Sequence, residues 1–166
     1  MPKRIFDIDL GPTQPLKVFS EAEAEAEALA KQWLAVYGKD MKGANTEAFM
    51  WHVFSGGRYP SLSGEDSLAK YKEQVAPEYI VLSNNKLRAV STNLLPLPEV
   101  CYRRDYYVFP SNLAWTMAFT HESGWLGPYF ATHPCYEPLN KKNLEAFRAK
   151  VRKIQEAEEA KRNGWV

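Results

Sequence analysis

The chain has little of what usually announces a chemistry. It holds two cysteines in 166 residues, Cys101 and Cys135, too few for a disulfide framework. A chain of this length buries about 68–70% of its unfolded surface and needs no covalent staples, so both are expected to be free, buried thiols in a reducing compartment. No run approaches the ~20 apolar residues that cross a bilayer, and the opening MPKRIFDIDLGP carries no apolar stretch of signal-peptide length. A soluble, cytoplasmic protein with no membrane partner is expected. The formal net charge of +1 supplies no basic excess to neutralise phosphates, which argues against a nucleic-acid partner.

Catalytic signatures are missing as well. There is no Gly-x-Ser-x-Gly elbow, no phosphate loop in Gly56-Gly57-Arg58-Tyr59-Pro60, no Cys-x-x-Cys and no His-Glu-x-x-His. His133-x-Cys135 is not a zinc spacing. No metal and no cofactor are expected.

Aromatics are what the chain has in surplus: five Trp, nine Tyr and eight Phe, 13% of residues. Such side chains fill cores and also favour interfaces.

Periodicity gives the elements. Residues 1–19, rich in proline, suit an N-terminal arm or an edge strand. Ser20-x-x-Glu23 has the form of a capping box, and Glu21, Glu23, Glu25 and Glu27 sit where a helix dipole favours acids. The apolar stripe Ala22, Ala26, Leu29, Trp33, Val36, with Tyr37 beside it, predicts a helix to residue 37 that Gly38 stops. The run AFMWHVFS, 48–55, reads as a central strand apolar on both faces. Ser63 with Asp66 predicts a short capped helix with Leu68, Tyr71 and Val75 inward, ended by Pro77.

Residues 78–82 and 86–92 predict a hairpin around Asn84-Asn85, residues that tolerate the left-handed turn conformation. Residues 105–109, 113–120 and 129–132 predict a meander. In its middle strand Leu113, Trp115, Met117 and Phe119 face away from the small set Ala114, Thr116, Ala118 and Thr120. A long helix is expected from about Pro138 or Asn140 to Asn163. Its stripe is Leu144, Phe147, Val151 and Ile154, its polar end (156–166) protrudes into solvent, and Gly164-Trp165 closes it. The fold class is α+β: a single domain, 1–166, with an antiparallel sheet of five or six strands covered by an N-terminal, a short middle and a long C-terminal helix.

The chemistry-bearing residues cluster at the end of that middle strand. His121 beside Glu122 could serve as an acid–base pair, with His52 or His133 as further candidates. Adjacent strand residues point to opposite faces, however, which predicts that His121 and Glu122 do not meet. Arg58, Arg103 and Arg104 among aromatics could stack single-stranded RNA, without any RNA-module signature. The remaining reading is a contact surface formed by His121, Glu122, Trp125 and Tyr129, or by Glu21, Glu23, Glu25 and Glu27.

The run YYVFP…AWTMAFTHE…GPYF, with WHVFS upstream, resembles an uncharacterised family of small bacterial proteins built around a Trp-Thr…Thr-His-Glu…Gly-Pro-Tyr-Phe core. The resemblance spans residues 48–134 and implies no activity and no catalytic residue. Compact aromatic-rich domains of this style are similar to immunity proteins, so the expected function is a binding protein that neutralises a co-encoded toxin. The alternatives are a small hydrolase or nuclease-like enzyme and an RNA-binding module.

Overall fold

A computed structural model describes residues 4–5, 8–9, 16–18, 22–40, 48–93, 95–96, 105–122 and 125–165, and for 4–24 the backbone alone. The elements in chain order are β1 (Arg4–Ile5), β2 (Ile8–Asp9), β3 (Leu16–Val18), α1 (Ala22–Tyr37), α2 (His52–Ser55) and β4 (Leu62–Ser63). They continue with α3 (Gly64–Lys72), β5 (Tyr79–Ser83), β6 (Ala89–Thr92), β7 (Tyr106–Phe109), β8 (Trp115–Phe119), β9 (Tyr129–Thr132) and α4 (Tyr136–Arg162). Among the described residues β1 and β2 pair with each other, and the other strands form one sheet in the order β3-β6-β5-β7-β8-β9-β4. Every pairing is antiparallel.

The α+β class is therefore as the patterning predicts. Five strands of four or five residues make the body of the sheet. The short β3 and β4 extend it at either edge. β7 is the central strand, and the meander β7-β8-β9 makes the half of the sheet that ends at β4.

Both sheet faces are covered, and strand alternation sorts the side chains between two clusters. On one face Ile80, Leu82, Tyr107, Ala118, Tyr129 and Ala131 pack with Ala26, Ala30, Trp33 and Tyr37 of α1 and with Val53 and Phe54 of α2. On the other, Val81, Val90, Tyr106, Val108, Trp115, Met117 and Phe130 pack with Tyr71 of α3, against which Tyr136 and Leu139 of α4 lean. The small face of β8 admits the close approach of α1: Trp33 Nε1 donates to Thr116 Oγ1 across 2.8 Å, and Tyr37 donates its hydroxyl to Leu113 O at 2.8 Å. Burying each such large side chain contributes about 1.5–3 kcal/mol, and the polar tips are satisfied rather than stranded.

Several expectations are corrected. The run 48–55 is not a strand: a turn at 48–51 leads into one turn of helix, α2. Met50, Trp51, Val53 and Phe54 are its buried residues, and Met50, Val53 and Phe54 fall at the i, i+3, i+4 spacing that a helix satisfies. Leu113 does not share the face of Trp115; with φ 57 it joins the α1 cluster, and the alternation begins at Trp115. In the hairpin the left-handed residue is Lys86, φ 63, not an asparagine. Asn85 instead works through its side chain, whose Oδ1 accepts from Ser83 Oγ and from Leu87 N–H.

Ser63 stands at the N-cap of α3 but makes no side-chain capping bond. Cys135 is exposed rather than buried, because it lies at the surface start of α4. The Ser20 cap, Glu21, the side chain of Glu23, Leu94, Leu97, Cys101, Arg103 and Arg104 lie outside the described residues.

The end of α4 protrudes as its polarity predicts, and does so earlier than expected: Ile154, expected in the apolar stripe, is 51% exposed. Gly164 N–H donates to Lys161 O and Trp165 N–H to Ala160 O, the paired bonds of a Schellman closure, with Gly164 at φ 71. Among the described residues no helix is long and apolar enough to cross a membrane.

Candidate functional site

The register of β7 and β8 builds the site. Tyr106 lies opposite Phe119, so Asp105 and His121, each just beyond a strand end, come together at the same rim of the sheet. His121 Nδ1–H donates to Asp105, 2.8 Å from Oδ2 and 3.0 Å from Oδ1, and the His121 backbone N–H also donates to Oδ1 at 3.1 Å. Trp51 Nε1 supplies a further donor to Oδ1 at 2.8 Å. Asp105 is thereby held by three groups from two segments, with its side chain only 11% exposed.

His121 and Glu122 lie in a turn rather than in the strand, and this overturns the expected separation of their side chains. His121 Nε2 is 3.6 Å from Glu122 Oε1. The imidazole thus stands between two carboxylates, Asp105 on Nδ1 and Glu122 on Nε2. Because the acids approach opposite ring nitrogens they cannot converge on one ion, and among the described residues no group of three His, Cys, Asp or Glu side chains could hold a metal.

Aromatic rings form the floor. Phe49 packs at 5.1 Å on His121, 5.7 Å on His52 and 5.3 Å on Trp51, and Tyr129 stacks beneath Trp51. The floor is tied to the sheet by Tyr107, whose hydroxyl donates to Asn84 Oδ1 and accepts from Trp51 N–H. Asn84 Nδ2 in turn donates to Ala48 O. Burial pushes the Tyr107 hydroxyl well above its ordinary range, an effect that the nearby Asp105 charge adds to. The Tyr129 hydroxyl is also raised, first by burial and then by the charge of Glu122.

The loop after His121 is pinned at both ends. Trp125 N–H and Leu126 N–H both donate to Glu122 O, at 3.0 and 2.9 Å. Thr120 Oγ1 donates to Leu126 O. Gly127 (φ 94) and Pro128, joined by a cis peptide, are buried, and Pro128 O accepts from Gly64 N–H and Ser67 Oγ of α3. Trp125 itself is 81% exposed.

Of the expected residues, then, His121, Glu122 and Trp125 share one rim, while Tyr129 is buried in its floor. Glu27 is exposed on α1, and Glu25 is half-buried with its Oε2 unpaired. His52 Nδ1 faces Ser55 Oγ at 3.0 Å and touches the same floor. His133 belongs elsewhere: its Nδ1 accepts from Cys135 N–H beside an open cleft between Tyr59 and the start of α4. Asp105, the residue that orients His121, was missed by sequence reasoning. The expected strands, 105–109 and 113–120 about a turn at 110–112, would set Asp105 opposite Met117; it reaches His121 because the turn is longer and Tyr106 faces Phe119.

Residues 20–130 match the family described as a domain of unknown function, DUF4275. The chain belongs to this family. The match takes in Asp105, His121, Glu122, Trp125 and Tyr129 and stops before α4, so the whole rim lies within the DUF4275 region. Neither the curated proteins nor the solved structures contain a match to the chain.

Proposed function

We propose that this DUF4275 protein is a binding module whose partner docks on the loop 121–128, with Trp125 as the anchor. One observation carries the reading: a large apolar side chain stands 81% exposed on a loop whose ends are fixed in the core. The indoles of Trp33, Trp51 and Trp115 are fully buried. An indole has few rotamers to lose on docking, and exposed tryptophans often dominate the energy of protein interfaces. The finer proposal is that the partner is a toxin encoded beside this chain, which the chain neutralises as an immunity protein does. The resemblance in its aromatic core supports that class.

The test is the affinity of the full chain for the protein encoded by the adjacent gene, measured by calorimetry. Trp125→Ala is expected to weaken binding by about 2 kcal/mol or more while leaving stability within about 0.5 kcal/mol. Equal affinity of wild type and variant ends the reading.

A second reading, a small hydrolase or nuclease-like enzyme, is favoured by the Asp105–His121 pair, since a carboxylate on Nδ1 is the arrangement that orients an imidazole base. Ser55 lies on His52, not on His121, so the base would act on water. Phosphodiester hydrolysis that disappears in His121→Ala supports this reading, and hydrolysis surviving in that variant removes it.

A further inference from the structure

We infer that the cleft between Tyr59 and the start of α4 binds a small organic amine, an ammonium group carried on an apolar body. None of the described residues that line the cleft belongs to the Trp125 rim, so this stands apart from the docking reading.

The cleft has the size of a ligand site. Its volume is about 590 Å³, within the roughly 300–1,000 Å³ of small-molecule pockets. Its walls are fixed before anything enters. Tyr59 donates its hydroxyl to Thr132 O. Tyr136 donates to Gln74 Oε1 at 3.4 Å and accepts from Asn140 Nδ2 at 3.1 Å. Both phenols are spent on the protein, and what the two residues have left for a ligand is ring carbon. Pro60, Pro134 and Pro138 add to the walls, with side chains that have almost no rotamer freedom to lose. Little ordering therefore opposes binding.

The polar groups decide the charge of the occupant. His133 Nδ1 accepts from Cys135 N–H at 2.8 Å, so that nitrogen carries a lone pair and the ring hydrogen sits on Nε2. The imidazole in this arrangement adds a donor and no charge. Glu137 is the one acidic side chain among the described residues of the lining, and no lysine or arginine is among them. It stands in the first turn of α4, where it already meets the positive end of the helix dipole. An anion would confront that carboxylate. A cation gains from it, and gains again from tyrosine rings, whose faces attract ammonium groups.

The remaining wall decides the rest of the ligand. Tyrosine and proline rings reward apolar area removed from water, so a bare ammonium ion gains little and an ammonium on a hydrocarbon body gains from both features.

The experiment uses the isotope-labelled full chain and three probes of one shape: 2-phenylethylammonium, 2-phenylethanol and 3-phenylpropionate. It follows the backbone amides of His133, Cys135 and Tyr136. The amine is expected to shift them saturably, the alcohol more weakly and the acid not at all. Glu137→Gln, a change at an exposed position, should weaken amine binding about tenfold. Tyr59→Phe, which keeps the ring, should retain it. The exposed Cys135 thiol gives a second readout. The amine should slow its alkylation by iodoacetamide, measured by mass on the peptide that contains it, in the wild type and not in Glu137→Gln.

Equal shifts from amine and alcohol, or an amine response unchanged in Glu137→Gln, overturn the inference. So do shifts that rise linearly with every probe, or no shift with any. Tighter binding of the acid would make the cleft an anion site, and unaltered alkylation of Cys135 would place the amine elsewhere; either result also overturns it.

Discussion

His121 Nδ1 lies 2.8 Å from Asp105 Oδ2, joining residues sixteen positions apart at one end of the β7-β8 hairpin. The contact fixes the direction of the imidazole and ties the entry of the Trp125 loop to the sheet. It also completes a partly buried acid that would otherwise carry an uncompensated charge.

Asp105→Ala is therefore expected to be costly. It removes the acceptor of Trp51 Nε1, His121 N–H and His121 Nδ1 together. Hydrogen bonds to a charged group contribute about 1.5–3 kcal/mol each and are not additive, so a loss of about 3 kcal/mol is expected in urea unfolding. A loss below about 0.5 kcal/mol would show that the acid is not structurally engaged.

Alkaline pH should expose the buried phenols. The Tyr107 and Tyr37 hydroxyls are both raised above their ordinary range, chiefly by burial. Their folded pKa exceeds the unfolded one near ~10, so their contribution is complete below that pH. It declines as pH rises further, by about 1.4 kcal/mol per pH unit for each tyrosine. Denaturation series between neutral pH and pH ~11.5 check this. Tyr107→Phe should flatten the decline, and should cost about 1–3 kcal/mol at pH 7 by leaving the Trp51 N–H without an acceptor.

Gly127 allows no side chain. At φ 94, an added Cβ would sit 2.9 Å from Thr120 Cγ2, 3.0 Å from its Oγ1 and 3.1 Å from Tyr129 Cε2. Gly127→Ala is expected to lower stability by about 2 kcal/mol or more and to move the Trp125 loop, both readable from a thermal scan and an amide spectrum. Lys86→Gly is the converse case. Lysine there holds φ 63, and relief of a left-handed strain of about 1–2 kcal/mol, offset by the flexibility of glycine, should raise stability by about 0.5–1 kcal/mol.

The end of α4 should be dispensable for folding. Residues 152–159 are all exposed, and Lys150, which donates to Pro77 O, marks where the helix still touches the body. Removing residues 155–166 is expected to change the unfolding free energy by less than about 1 kcal/mol. A larger loss would place core contacts where the exposure pattern has none.

Much of this architecture could be read from the chain. The helix of Trp33 and Tyr37, the β5-β6 hairpin, the meander and the Schellman end of α4 each follow from one local period or one punctuating residue. The run WHVFS could not be read, because a short stretch apolar at every position satisfies strand and helix periods alike. Its helical turn is decided by tertiary packing of Met50, Val53 and Phe54. The order of β5 and β6 in the sheet depends on a connection with no local signal. At the rim, His121 and Glu122 were legible as a dipeptide, whereas their relation depended on whether the strand ends before them. It ends at Phe119, so the alternation that would part them no longer applies.

The distribution of tryptophans has an optical consequence. Three indoles lie in the dry interior and two, Trp125 and Trp165, stand in water at 81% and 74% exposure. Intrinsic emission should therefore resolve into a short-wavelength component that soluble quenchers hardly reach and a long-wavelength one that they extinguish. The first follows the integrity of the core. With Trp165 replaced by phenylalanine, the second becomes a label-free signal from the rim alone.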